Sequence, residues 1–146
     1  MALYRLAQNS TVTTSGNAAS DMATSTGVRP KLVEMDLFNG AATAGQFSLR
    51  RTSALGTRTT PTALVPEDPG DPALTGIELV DSAVAFSAEP TEAAVKLANI
   101  GFPATIGVGV IWTFPRGMSL AVSLSFVILL DATSGALHFH TWVCDK

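Results

Sequence analysis

ATIGVGVIWTFPRGMSLAVSLSFVILLD, residues 104 to 131, carries the most regular pattern in the chain. In its first half Ile106, Val108, Val110, Trp112 and Phe114 occupy alternate positions, with Gly107 and Gly109 between them. Successive side chains of a strand point to opposite faces, so this spacing predicts a strand with one apolar face. The glycines leave room for a closely packed neighbour on the other. In the second half Leu120, Val122, Leu124, Phe126, Ile128 and Leu130 alternate with Ala121, Ser123 and Ser125, which predicts a second strand of the same kind. Trp112 and Phe126, central to these two patterns, are expected in the core. Residues 97 to 130 hold a single charge, Arg116, and invite a membrane reading. Gly101, Pro103, Gly107, Gly109, Pro115 and Gly117 interrupt any useful helix, and no clean apolar run reaches about 18 residues.

Downstream, Thr133-Ser134-Gly135 predicts a turn into LHFHTWVCD, a final strand. Upstream, KLVEMDLFNG places Val33, Met35 and Leu37 on one face and Glu34 and Asp36 on the other, and QFSLRRT does the same with Phe47 and Leu49. These two runs could pair across NGAATAG. PEDPGDP, residues 66 to 72, holds three prolines and reads as a surface loop, after which GIELVDSAVAFSA resumes an extended pattern. EPTEAAVKLANIG, residues 89 to 101, is the one stretch whose propensity favours a helical turn, with Gly101 placed to end it. Residues 1 to 27 lack apolar periodicity and read as an extended N-terminal arm, ordered only on a neighbouring surface through Leu3, Tyr4 and Leu6, with Arg5 as an electrostatic latch. The expected architecture is therefore all-β: an antiparallel sandwich or jelly-roll-like barrel over residues 28 to 146, with at most one short helix.

The chain of 146 residues is long enough for one domain with a real core. It is 47% hydrophobic and only 14% charged, which leaves few charges to cover a free surface and favours a subunit whose outside is shared with neighbours. A net charge of −3 argues against a nucleic-acid partner. The charge is uneven: residues 1 to 60 hold six Lys/Arg against three Asp/Glu, while residues 61 to 100 hold seven acids against Lys96 alone. Two solvated faces of opposite sign explain this simply, and complementary contact between copies is the sharper alternative. The one cysteine, Cys144, cannot form an intrachain disulfide, and MALYRLAQNSTVTT lacks the apolar core of a signal peptide, so synthesis in a reducing cytosol is expected. Asn9-Ser10-Thr11 matches a glycosylation acceptor that has no meaning without secretion.

No chemistry stands out. His138 and His140 project from one strand face, yet two ligands do not make a zinc site. They read as ordinary histidines near a sheet edge or subunit contact, with a metal shared between copies as the alternative. Glu67, Asp68 and Asp71 lack EF-hand spacing and read as a solvated loop. Gly107-Val108-Gly109 begins like a dinucleotide motif, but Trp112 stands at the third glycine and no helix follows. No serine sits in a nucleophile-elbow setting. Trp112, Phe114, Phe139 and Trp142 could offer sugars an aromatic platform, although aromatics on core-facing strands are usually core. No catalytic residue, cofactor or metal is assigned, and the chain is not expected to be an enzyme.

VEMDLFNGAATAGQFSLRRTSALGTR, residues 33 to 58, and IGVGVIWTFPRGMSLAVSLS, residues 106 to 125, together resemble short virion structural proteins of tailed phages, of the capsid decoration or cement kind. These pair a "VFN…T…LRR…GT" stretch with a later "GVIWTF" stretch. The resemblance covers about two thirds of the chain and omits the arm. This sequence departs from the pattern in Phe114-Pro115-Arg116-Gly117 and in its unusually apolar FVILL run. The resemblance implies a decoration protein made in the host bacterial cytoplasm and held on the capsid surface of the virion, with the major capsid protein and its own copies, as a homotrimer, for partners and no nucleic acid or membrane. A tail, neck or fibre-base subunit is the nearest alternative, and a carbohydrate-binding surface module the one of another class.

Overall fold

A computed structural model describes residues 2–12, 14–24, 29–74, 78–82 (backbone alone), 86–132 and 137–146. The expected turn at Thr133-Ser134-Gly135 and the end of the expected arm, 25–27, lie outside these. Among the described residues every regular element is a strand: β1 (Leu3–Thr11), β2 (Ala18–Thr24), β3 (Lys31–Asn39), β4 (Gly45–Ala54), β5 (Thr57–Arg58), β6 (Thr62–Ala63), β7 (Val65–Pro66), β8 (Glu78–Ser82), β9 (Phe86–Ala88), β10 (Thr91–Phe102), β11 (Gly109–Ser119), β12 (Ser125–Ala132) and β13 (Leu137–Asp145).

The strands form two antiparallel sheets. The first has the order β11-β3-β13-β1-β7 and the second β10-β4-β12-β2-β8-β6, with a separate ribbon of β5 and β9. Along the chain, β1, β3, β11 and β13 go to the first sheet and β2, β4, β10 and β12 to the second. This is the strand order of an eight-stranded jelly roll, with residues 55–90 inserted between the neighbours β4 and β10. The core between the sheets takes Leu32, Met35 and Leu37 from β3, Trp142 from β13, Phe47 and Leu49 from β4, and Phe126, Ile128 and Leu130 from β12. Trp142 Nε1 donates to Ser20 Oγ across the sheets at 2.9 Å, which gives the one polar end of the indole its partner.

Where it is described, the expected arm is strand: Leu3–Thr11 and Ala18–Thr24 belong to the two sheets. β1 pairs with β13 along all nine of its residues, and β2 lies between β12 and β8. β1 escapes a search for apolar alternation because its inward positions read Tyr, Leu, Gln, Ser: Tyr4, Leu6, Gln8 and Ser10 stand beside Cys144, Trp142, His140 and His138. β2 shows no alternation because all seven of its residues are buried, so both of its faces are covered. The outward cover comes from the insertion: the Arg58 guanidinium pairs with buried Asp21, and Glu89 accepts from the Ala18 N–H at 2.9 Å. Val127 and Leu129, outward on β12 by alternation, are buried as well.

Residues 91–102 are strand rather than helix. β10 is an edge strand whose register against β4 slips repeatedly between Thr91 and Ala98, and cross-strand pairing overrides the helical preference of its Ala and Leu residues. The expected pairing of residues 31–40 with 46–52 is also replaced. β3 lies between β11 and β13, while β4 lies between β10 and β12, so the NGAATAG segment crosses from one sheet to the other. Asn39 anchors that crossing: its Nδ2 donates to Thr43 O and Pro103 O, and its Oδ1 accepts from the Ala41 N–H.

Register breaks explain the remaining differences. A bulge in β3 at Val33, opposite Val143 and Cys144 of β13, makes Leu32, not Val33, the buried partner of Met35 and Leu37. Residues 120–124 are a connection rather than strand, with Leu120 buried, Val122 exposed and Ser123 at φ 59°. Ile106 is exposed in a turn that closes through Gly107 at φ +83°, a backbone setting that favours glycine. Phe126 is fully buried as expected, but Trp112 is only half-buried because β11 is the edge of its sheet.

Candidate functional site

The two outer faces of the sandwich differ. The second sheet is covered over β2 and β12 by the inserted ribbon, whereas no described segment covers the face of the first. Residues directly opposite on neighbouring strands share a face. The outward rows of the first sheet therefore read Gly109, Phe38, Phe139, Asn9, then Ile111, Asp36, Thr141, Ala7, then Thr113, Glu34, Val143, Arg5. Ile111 is 55% and Phe139 46% exposed. The Phe38 ring lies over Gly109, where a Cβ would stand 2.1 Å from it, so this glycine makes the close neighbour contact expected of it. Asp36, in the middle row, has its carboxyl raised above the usual range by burial, opposed by hydrogen bonds from Thr141. At the end of the face a shallow groove of about 380 Å³ runs between Arg5, Glu34, Glu67, Phe114, Pro115 and Val143.

The histidines lie inside the molecule rather than at an edge. β13 is a central strand, and His138 and His140 point from it into the core, 3% and 1% exposed. The His138 ring meets Phe47 edge-on at 4.3 Å. Burial lowers the His138 imidazole from 6.5 to about 4, against a hydrogen bond with the Ser10 backbone that raises it. Burial and the nearby His138 take His140 to about 4 too. Both rings are neutral at pH 7. His138 Nδ1, both His140 nitrogens, Ser10 Oγ and Gln8 Oε1 make no hydrogen bond with described residues, so the pair stands in a polar cell within an apolar core. Cys144 follows on the same face, fully buried, with Trp142 between. Among the described residues, no three His, Cys, Asp or Glu gather as a metal would need.

The anchors assigned to the arm belong to the sandwich. Tyr4 is buried and its hydroxyl donates to Pro72 O at 3.1 Å, and Leu6 packs against the core. Leu3 and Arg5 lie on the outer face, and Arg5 Nε pairs with Glu67 Oε1 at 2.7 Å. In the acidic loop Asp68 accepts from the Gly70 N–H at 2.8 Å, a local turn bond. The four aromatics proposed as a platform are divided: Trp142 is core, Trp112 and Phe114 are half-buried against it, and Phe139 faces out. Sequence reading missed the open sheet face because its residues come from four strands separated in the chain. Comparison of the chain with known protein families, curated proteins and solved structures found no match.

Proposed function

We propose that the chain is a structural subunit of a tailed-phage particle, a decoration or cement protein that holds neighbouring shell subunits together through symmetric contacts. The observation that carries this reading is the asymmetry of the sandwich. One outer face is covered over β2 and β12 by the chain's own insertion, while the described residues leave the other open with Ile111, Phe139, Phe38 and Ala7 on it. An open apolar face of this kind suits contact with another protein, and repetition of a weak contact over a shell multiplies its strength. The jelly-roll strand order and the resemblance of residues 33–58 and 106–125 to virion proteins agree with it, although the strand order by itself names no function.

The face and the location are tested together. A cryo-EM map of the phage that encodes the chain should show the sandwich on the shell with the β11-β3-β13-β1 face turned toward the capsid protein. Density at the tail or neck would move the assignment there, and an empty particle surface would end it. Ile111→Asp and Phe139→Asp should leave melting unchanged within about 1 kcal/mol, as exposed substitutions do, while abolishing co-sedimentation with shells. Phe139 beside Phe38 also presents ring surface of the sort on which sugars stack. A glycan array with the isolated protein, positive and lost with Phe139→Asp, would favour the carbohydrate-binding module instead.

A further inference from the structure

The charge asymmetry of the sequence becomes a geometric one in the fold. Ser119, Lys31, Asp145 and Leu3 lie side by side across β11, β3, β13 and β1, and the Glu67 N–H donates to Leu3 O at 2.8 Å, extending the row to β7. At the β11 end of this row stand four exposed cations, Arg29, Lys31, Arg51 and Arg116. Contacts between their segments gather them: the Lys31 side chain lies against Gly117, Arg51 Nη2 donates to Ser119 O at 3.4 Å, and Leu120 N–H donates to Pro30 O at 3.2 Å. Among the described residues none of the four makes an ion pair, and half-buried Asp145 is the one acid of the row beside them. At the β7 end stands the loop of Glu67, Asp68 and Asp71, with Arg5 paired to the first.

The two ends cannot neutralise each other within one molecule. Four strand spacings separate them by about 19 Å, roughly twice the screening length at 0.1 M salt. Both lateral edges of the sheet are also interrupted at this row. β11 carries Pro115 and a register break between Thr113 and Met118, and β7 is two residues long and ends in Pro66. A neighbour approaching either edge at this row therefore meets charged side chains beside an interrupted ladder.

We propose that the corner of Arg29, Lys31, Arg51 and Arg116 receives the 67–71 loop of a second copy, so that copies join head to tail along the first sheet. Such a contact uses two different patches of each molecule, and it closes into a ring or runs on as a filament according to its angle. The proposal rests on the reading of the chain as a subunit of a symmetric assembly and assigns the surface through which copies meet. The contact is electrostatic, so it strengthens at low salt and weakens as salt rises.

Sedimentation of the full chain at micromolar concentration, in about 50 mM and about 500 mM salt, tests this. The expected result is an oligomer at low salt that dissociates at high salt. Arg29→Glu with Arg116→Glu should weaken association about tenfold or more, and Asp68→Lys with Asp71→Lys should do the same. All four substitutions in one chain reverse both patches and should restore it, while circular dichroism confirms that each variant is folded. A wild-type monomer at low salt would overturn both the proposal and the assembly reading. An oligomer indifferent to the reversals would overturn the proposed contact alone. Loss with the basic-side reversal but not the acidic-side one would also overturn it, and would give the corner to another anionic partner.

Discussion

His138 and His140 are held neutral in a closed interior, and this gives the protein a dependence on pH that its surface would not produce. Both imidazoles have a folded-state value of about 4, below the ordinary 6.5. The unfolded chain therefore binds protons between these values while the folded chain does not. Stability is full above about pH 6.5, falls as pH drops toward 4 and levels off below. Each ring contributes on the order of 3 kcal/mol to that loss. No carboxylate is among the described groups that face the pair: Ser10 and Gln8 on β1, Asn39 and Leu37 on β3, and Phe47 from the opposite sheet. Chemical denaturation from pH 7.5 to 4 should show the fall, and His140→Leu should roughly halve it; a profile flat across this range would contradict the burial of the pair. The Arg58–Asp21 pair makes a second demand at this scale. Arg58→Met leaves a fully buried carboxylate without that guanidinium, and should destabilise the fold by about 3 kcal/mol, whereas Asp21→Leu combined with it should recover most of the loss.

β1 shows what a strand can do while looking like a tail. Deleting residues 1–11 removes the partner of β13 along nine residues and uncovers the side of Trp142, His140 and His138 that β1 closes. The truncated chain should fail to fold cooperatively, as read by melting and near-ultraviolet circular dichroism; a truncated chain that melts as a native domain would restore the arm. β12 was legible from its run of large apolar residues, and the other legible strands were those with apolar residues on one side and smaller or polar ones on the other, namely β11, β13 and much of β3 and β4. Their alternation is set by burial of one face alone. β2 was illegible because burial on both sides erases alternation, β1 because its inward positions include Gln8 and Ser10, and β10 because Ala and Leu give a local helical preference that only pairing with β4 defeats. The histidines were placed on the correct shared face, but a single strand does not tell whether its face turns inward or toward a neighbour. The open face of the first sheet was out of reach for a similar reason, since its rows follow from a strand order that no local pattern contains.

The whole molecule is tied by pairings between distant parts of the chain. β1 must find β13, and β2 must find β12, before the sandwich can close. Non-local pairing of this kind makes folding slow, so refolding in stopped-flow experiments should take milliseconds to seconds, and a sub-millisecond phase carrying the full signal would contradict the topology. Closure also hides the one thiol in the chain. Cys144 is fully buried between Tyr4 of β1 and Leu32 of β3, so a water-soluble thiol reagent reaches it only when a seam beside β13 parts. Its labelling rate thus reads the frequency with which that seam opens, from a single position and without any engineered probe. In denaturant-jump experiments at about pH 8, where the freed thiol reacts as thiolate, it becomes a clock: labelled chains accumulate as fast as the sandwich comes apart, and the colour of the released reagent counts them.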